Sequence, residues 1–143
     1  MGNSMIQTMM KQLLGTIRAD VSPEQVKAAV NGYLDSWRDN DAEARGALFA
    51  DDAVFEDPVG TPPIVGKAAL FAFWQRTAAV PTRFEPTLER IVVCGNEALV
   101  EFTLRISIEG TPSCTIRILE NFRIDKQGKI AHLRAFWDEH SVA

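Results

Sequence analysis

Glu120 is an acidic residue on the most apolar strand face that the sequence predicts. Side chains alternate between the two faces of a strand, so a strand over residues 114–125 places Glu120 on one face with Ile118 and Phe122. A carboxylate on such a face loses hydration, and burial then favours its protonated form. Pairing with an arginine from another element is the alternative, and alternation alone leaves the two interpretations open.

Asp57 stands at the end of a short predicted strand, which Pro58 must stop because proline lacks the N–H that a β-ladder needs. Alternation puts Asp57 on the side of Phe55 and turns Glu56 the other way. An inward aspartate can accept a proton from a substrate, whereas an aspartate before proline more commonly caps a turn. The sequence pattern leaves both roles open.

Tyr33 lies on the apolar stripe of a predicted helix. Ser22 supplies an N-cap hydroxyl, Pro23 suits the first helical position, and Gln25 can close a capping box. Apolar residues then recur at steps of three and four as far as Trp37. This spacing predicts that Tyr33 points inward.

Other catalytic chemistries lack their motifs. His132 falls on a mixed face of the last predicted strand and His140 in the C-terminal tail, and neither has a cysteine or carboxylate at metal-ligand spacing. The sequence has no glycine-rich phosphate loop, nucleophile elbow or Cys-x-x-Cys motif. We therefore expect no metal site, and we interpret His132 as an exposed or interface residue.

The elements that position these residues are helices first and strands afterwards. Capping signals and periodicity predict helices over residues 22–38, 41–49 and 67–79. A turn at Asp51 and Asp52 leads into a short strand at residues 54–55. Period-two patterns then predict strands over residues 88–94, 98–109, 114–125 and 129–138. Short loops imply antiparallel neighbours, so we predict an α+β domain whose helices cover one face of a curved sheet.

Composition limits the classes of partner. The chain has 143 residues, 46% of them hydrophobic and 24% charged, which suits one folded domain rather than a disordered chain. A net charge of −4 gives no general attraction for nucleic acid. No apolar run is long enough to span a membrane, and the first residues lack the pattern of a signal peptide. We interpret Cys94 and Cys114 as buried thiols, which favours a reducing, cytoplasmic location.

The order of elements resembles that of the steroid Δ5-3-ketoisomerases, in the NTF2-like or SnoaL-like superfamily, and so does the run LFADDAVFEDPVG at residues 48–60. The resemblance continues through GKAA at residues 66–69, NEA at 96–98, NFR at 121–123, GK at 128–129 and RA at 134–135. It covers roughly residues 26–140. It implies an NTF2-like cone of three helices on a curved, mostly antiparallel sheet, formed as a single domain by residues 22–143. Residues 1–21 would be an N-terminal extension, either a helix or a mobile arm.

The resemblance also implies a reaction, the shift of the 5,6 double bond of a 3-oxo-Δ5-steroid to the 4,5 position, with no cofactor. By analogy with the family, Asp57 is the general base and then acid, and Tyr33 and a protonated Glu120 donate hydrogen bonds to the oxyanion. A carboxylic acid kept neutral for this purpose is a known property of ketosteroid isomerase, and the resemblance implies the same state for Glu120. Glu120 stands where the family has aspartate, and Tyr33 is the only tyrosine of the chain.

The steroid substrate implied by the family needs apolar walls. Those walls are expected from Leu99 or its strand neighbours and from Val30, Phe55, Val59, Phe73, Phe102, Leu133, Ala135 and Trp137. The family also implies a homodimer. Its interface is expected on the outer sheet face, which alternation assigns to Leu119, Asn121, Arg123, Ile130, His132, Arg134 and Phe136.

Two other functions remain compatible with this resemblance. A non-catalytic carrier could bind a steroid or a similar hydrophobic ligand through the same Tyr33 and Glu120, since a fold does not fix a function. Another enzyme of the superfamily, such as an epoxide hydrolase, dehydratase or polyketide cyclase, could use Asp57 on a different substrate. Epoxide hydrolases of this fold use an Asp-Arg-Asp arrangement, and no arginine is predicted on the inward face of the last two strands.

Overall fold

The protein is described by a computed structural model that covers residue 2 and residues 4–143. Four helices are described: α1 (Met5–Leu14), α2 (Pro23–Arg38), α3 (Ala42–Ala47) and α4 (Lys67–Thr77). The six described strands are β1 (Phe49–Glu56), β2 (Ile64–Val65), β3 (Arg83–Cys94), β4 (Glu97–Ser107), β5 (Cys114–Ile124) and β6 (Ile130–Phe136). A 3₁₀ turn at Glu139–Ser141 follows β6.

The strands form a single mixed sheet in the order β2-β1-β6-β5-β4-β3. Neighbours are antiparallel except for β1 and β6, which run parallel. The predicted α+β architecture is confirmed, with helices α2 and α4 packed over the inner face of the sheet. Burial of each large core side chain stabilises the fold by about 1.5–3 kcal/mol. The largest fully buried apolar side chains are Trp74, Phe49, Phe55, Phe122, Leu70, Ile124, Ile130, Leu133, Val26, Val30 and Val100.

Helix α2 begins at the predicted cap. The Gln25 N–H donates to Ser22 Oγ at 3.2 Å, and the Ser22 N–H donates to Gln25 Oε1 at 2.8 Å, so both halves of the capping box are present. A cap of this kind stabilises a helix by about 1 kcal/mol. The apolar stripe faces the sheet, and Tyr33 is 3% exposed. The predicted inward direction of Tyr33 is therefore confirmed.

Strand β1 is longer than predicted. It begins at Phe49 and includes Asp51 and Asp52, which the sequence assigns to a turn. Both aspartates are exposed, while Ala53 is fully buried and accepts a hydrogen bond from the Gly66 N–H at 2.8 Å. Pairing with β6 is interrupted between Phe49 and Val54. At this irregularity Asp51 and Asp52 are exposed to solvent, and the following residues Ala53 and Phe55 are buried in the core again.

Strand β3 also begins earlier than predicted, at Arg83 instead of residue 88. Pro86 lies inside it and weakens the sequence signal for a strand. Because β3 is an edge strand paired only with β4, a residue without an N–H costs it little. The extension matters because it brings Phe84 and Pro86 to the cavity described below.

Two predictions about side-chain burial are wrong. Ile130 is fully buried instead of lying on the outer face, because β6 has one extra residue between His132, which pairs with Arg123, and Ile130, which pairs with Ile124. The extra residue turns Ile130 to the inner face, where alternation already places Ile124. The thiols are free but not buried: Cys94 is exposed and Cys114 is partly exposed. They end β3 and begin β5, where the strands leave the core.

Helix α1 stands apart from the core. Ser4 and Gln7 form its capping box, and none of its ten residues is buried. Contacts with the rest of the domain are made after this helix, where the Asp20 N–H donates to Asn96 Oδ1 at 2.8 Å and Val21 enters the core. Among the described helices, none is long and apolar enough to cross a membrane.

Candidate active site

A cavity of about 190 Å³ lies between the inner face of the sheet and helices α2 and α4. Tyr33 from α2, Asp57 from the end of β1 and Glu120 from β5 all line it. These residues are far apart in the sequence, so the sheet and helix packing bring them together. The rest of the lining is almost entirely apolar and includes Leu34, Trp37, Phe73, Thr77, Phe84, Pro86, Phe102, Leu104, Ile106, Ile116, Ile118 and Trp137.

Glu120 is a buried carboxyl group that has no cationic partner among the described residues. It is 3% exposed and lies in the sheet between Val100 of β4 and Ala135 of β6. Within the described part of the chain, its Oε2 has no hydrogen-bond partner and no arginine lines the cavity. Burial raises the pKa of Glu120 well above its ordinary value, and the charge of Asp57 adds to the shift. The neutral form is thus favoured, and the arginine-paired alternative does not apply.

Asp57 faces the cavity and is held by an indole. The Trp137 Nε1–H donates to Asp57 Oδ1 at 2.8 Å. The turn that follows is closed without this carboxylate, because the N–H and hydroxyl of Thr61 donate to the Pro58 carbonyl at 3.2 and 2.7 Å. Burial raises the pKa of Asp57, and the Trp137 hydrogen bond opposes this rise. Asp57 is therefore a partly desolvated carboxylate with one stabilising donor.

Aromatic rings fix the position of Tyr33. Its ring meets those of Phe122, Phe49 and Trp37 edge to face, at centroid distances of 5.5, 5.9 and 6.3 Å. Burial raises the pKa of Tyr33 well above its ordinary value, and the charges of Glu120 and Asp57 raise it further. A hydrogen bond with Trp37 and the charge of Arg45 oppose this rise. The phenol is therefore a neutral hydrogen-bond donor in an aromatic setting.

Of the nine residues expected to form the cavity walls, three line the cavity, four lie behind its walls, and Val59 and Leu99 lie elsewhere. Phe73, Phe102 and Trp137 line the cavity. Behind its walls, in the core, lie Val30, Phe55, Leu133 and Ala135. Val59 is partly exposed and donates its N–H to the Ala135 carbonyl at 2.9 Å. Leu99 is 52% exposed on the outer face of the sheet.

Several lining residues were not singled out from the sequence. The sequence did carry a signal for four of them, because residues two apart in a strand share a face. Leu104 and Ile106 share a face with Phe102 in β4, and Ile116 and Ile118 share a face with Glu120 in β5. Phe84 and Pro86 lie in the part of β3 that was not predicted to be a strand. The apolar stripe of α2 predicted that Trp37 points inward, but it did not predict that Trp37 lines a cavity.

Glu56 points away from the cavity, as alternation predicts. Its Oε2 lies 2.7 Å from His132 Nε2 and accepts a hydrogen bond from Arg134 Nε at 3.2 Å. The His132 hydrogen bond is the main reason that the pKa of Glu56 is lowered, with Arg134 contributing. Side chains of β1 and β6 form this cluster on the outer face, so it belongs to the sheet surface and not to the cavity.

An α+β fold with helices over a six-stranded mixed sheet, and with a phenol and two carboxyl groups in an apolar cavity, defines an NTF2-like protein. More narrowly, the chain belongs to the SnoaL-like domain family, whose model matches residues 30–133.

Named relatives of the chain act on two kinds of substrate. It is 34% identical over 114 residues to a steroid Delta-isomerase of Nocardioides simplex, covering 79% of this chain and 89% of that protein. The solved Delta 5-3-ketosteroid isomerase of a Mycobacterium species is similar with a TM-score of 0.74 and 28% identity, covering 83% and 97% of the two chains. The chain is also 30% identical to the epoxide hydrolase LasB of Streptomyces lasalocidi over 125 residues, which are 85% of this chain but 42% of that protein.

Proposed function

We propose that the protein is a steroid Δ-isomerase that converts a 3-oxo-Δ5-steroid to its Δ4 isomer by intramolecular proton transfer. The observation that carries this proposal is the pairing of two different carboxyl groups in one apolar cavity. Glu120 is buried, uncharged by preference and without a cationic partner in the described chain, whereas Asp57 keeps a donor that stabilises its charge. Environments that separate two carboxyl groups in this way assign one as an acid and the other as a base.

Asp57 serves as the mobile base. It removes a proton from C4 of the steroid, and the electron pair moves toward the C3 carbonyl to give a dienolate. Asp57 then returns the same proton to C6, which forms the Δ4 double bond and restores the carboxylate. The Trp137 hydrogen bond to Oδ1 keeps one oxygen in place and leaves Oδ2 for the proton.

Tyr33 and Glu120 stabilise the negative charge that develops on the C3 oxygen. Both are buried donors in their neutral forms, and a hydrogen bond from a preorganised donor in a dry cavity is worth more than the same bond in water. The unsatisfied Oε2 of Glu120 leaves its carboxyl group free to bond to a ligand. A ketone oxygen would supply the missing partner.

The walls suit a flat apolar substrate. Aromatic rings of Trp37, Phe73, Phe84, Phe102 and Trp137 line the cavity, and strand residues supply the branched aliphatic side chains between them. Such surfaces bind a hydrocarbon skeleton by burial, and the few polar groups at one end orient it.

Epoxide hydrolysis fits this cavity less well. The hydrolase relatives share the fold, but no arginine lines the cavity in the described residues, and the walls offer few polar groups to hold an attacking water. The buried Arg45 donates instead to Ser36. The arrangement therefore favours proton transfer over water activation.

We place the domain at residues 22–143, with residues 1–21 as an extension whose last two residues, Asp20 and Val21, contact the domain. Pairing of two chains through the outer sheet face is supported by the half-exposed Leu99, Leu119 and Phe136. Sedimentation that gives a monomer at every concentration would exclude this homodimer. The free cysteines, one of them exposed, suit a cytoplasmic location.

The test follows the ultraviolet absorbance of the conjugated enone when purified protein is mixed with 5-androstene-3,17-dione. We expect conversion by the wild type and its loss in Asp57→Asn, which keeps the size of the side chain but removes the base. Asp52→Asn is the matched control, because Asp52 lies in β1, the strand that leads to Asp57, but is exposed and outside the cavity. Full turnover by Asp57→Asn would exclude Asp57 as the base. Steroid binding without conversion would point to a carrier.

A further inference from the structure

Arg45 is a buried cation directly beneath the aromatic wall of the cavity. It is 2% exposed, and its guanidinium Cζ lies 3.4 Å from the centroid of the Trp37 ring and 5.1 Å from that of Trp74. Within the described residues, no carboxylate lies within ion-pair distance of it. Burying an unpaired charge costs several kcal/mol. A residue kept at that cost calls for a role that an apolar side chain could not fill.

Hydrogen bonds connect Arg45 to the backbone of Tyr33. Its Nε donates to Ser36 Oγ at 3.1 Å, and its Nη2 donates to the Ser36 carbonyl at 3.0 Å. The Ser36 hydroxyl in turn donates to the Tyr33 carbonyl at 2.6 Å. The guanidinium thus holds the turn of α2 that carries Tyr33.

A second connection runs through Trp37. One face of its ring lies on the guanidinium, its ring meets the Tyr33 ring edge to face, and it lines the cavity. Arg45 therefore fixes two neighbouring parts of the cavity wall at once. Because Tyr33 is the only tyrosine of the chain, no second phenol can support its hydroxyl.

We propose that Arg45 is a positioning residue for the oxyanion site, which orients Tyr33 through Ser36 and Trp37 and supplies positive charge beneath the developing oxyanion. This inference rests on the proposed isomerase function. Burial lowers the pKa of Arg45 to about 10, so the side chain is a cation at neutral pH, and its charge opposes the rise in the pKa of Tyr33.

The geometry explains why arginine and not lysine serves here. A planar guanidinium can lie on an indole ring and direct two N–H groups at the two oxygens of Ser36 at the same time. An ammonium group at the same place keeps the charge but loses the flat stacking surface and the fork. Arg45→Lys therefore separates the two contributions.

The test compares Arg45→Met, Arg45→Lys and Ser36→Ala with Arg105→Met, whose arginine is exposed and outside the cavity. Two quantities are measured for each folded variant at neutral pH. One is the separate kcat and KM for 5-androstene-3,17-dione, and the other is the ionised fraction of bound equilenin, a phenolic steroid, read from its absorbance. Thermal unfolding shows which variants are folded.

We expect Arg45→Met to lower kcat about tenfold with little change in KM, since a nearby charge commonly shifts a pKa by one unit or more. The bound phenol should become less ionised. Arg45→Lys should restore the ionised fraction but not all of kcat, Ser36→Ala should lower kcat without changing the ionised fraction, and Arg105→Met should match the wild type.

Two results would overturn the inference and leave the function standing. One is an active wild type beside a folded Arg45→Met with unchanged kcat and ionised fraction. The other, should Arg45→Met not fold, is unchanged kcat in both Arg45→Lys and Ser36→Ala. A wild type that neither converts the dione nor binds equilenin would instead refute the proposed function, and the inference with it.

Discussion

The hydrogen bond from Trp137 lowers the pKa of Asp57, the proposed catalytic base, against the rise that burial causes. The indole Nε1–H lies 2.8 Å from Asp57 Oδ1, and it bonds best to the ionised carboxylate. A hydrogen bond to a charged group contributes about 1.5–3 kcal/mol, and one pKa unit corresponds to about 1.4 kcal/mol. Trp137→Phe removes the donor and keeps an aromatic ring, so it should raise the pKa of Asp57 by about one to two units.

The sign of the effect on activity follows from the need for an ionised base. If Asp57 is the base, as proposed, kcat/KM of the wild type should fall as pH drops through the pKa of Asp57, because the protonated acid cannot accept the C4 proton. In Trp137→Phe, this acidic limb should move to higher pH by the same one to two units. The assay is the enone absorbance with 5-androstene-3,17-dione, with initial rates measured at low substrate across the pH range.

Trp74→Phe is the matched control for the loss of an indole. Trp74 is 1% exposed, and its Nε1 has no hydrogen-bond partner in the described residues, so its removal takes no donor from Asp57. The acidic limb of this variant should stay where it is in the wild type. An active Trp137→Phe with an unshifted limb would refute the assignment of Trp137 as the group that tunes Asp57.

Three further outcomes are expected. Burial raises the pKa of Glu120 in the folded chain, so the free energy of unfolding should fall by up to about 1.4 kcal/mol per pH unit as pH rises above the unfolded pKa of this group. Urea unfolding of Glu120→Gln should lack this contribution. Parallel curves of unfolding free energy against pH for the wild type and Glu120→Gln would contradict a raised pKa. Tyr33→Phe should lower kcat about 10²- to 10³-fold with little change in KM in the enone assay, and a loss below threefold would exclude Tyr33 as a donor. Gly46→Ala should destabilise the fold by about 1–3 kcal/mol in urea unfolding, because the added Cβ would overlap the Phe71 ring. Wild-type stability of this variant would show that Phe71 moves aside freely.

Local periodicity accounts for the residues that the sequence placed correctly. The inward directions of Tyr33 and Glu120 follow from the spacing of their own neighbours in a helix and in a strand, and both are buried. Asp57 and Glu56 point to opposite sides for the same reason. These facts need no knowledge of the rest of the chain.

Features that depend on distant partners could not be predicted in this way. The hydrogen bond from Trp137 to Asp57 joins residues 80 positions apart, and neither position carries a local signal for it. Burial of Ile130 depends on a register shift opposite Arg123, which inverts the alternation. Phe84 reaches the cavity because an edge strand tolerates Pro86, and strand order is a property of the whole sheet.

Among the described strands, only β1 and β6 pair in parallel, and this pairing has a consequence for biosynthesis. Parallel strands end on the same side, so Asp57 after β1 and Trp137 after β6 meet there, although β1 and β6 are the first and the last of the described strands in chain order. A nascent chain on the ribosome can form α2 and β1 early, yet β1 stays without its central neighbour until β6 has emerged. Asp57 therefore acquires its donor only after β6 has been translated, and a ribosome stalled before β6 would hold a chain in which Asp57 lacks the Trp137 hydrogen bond.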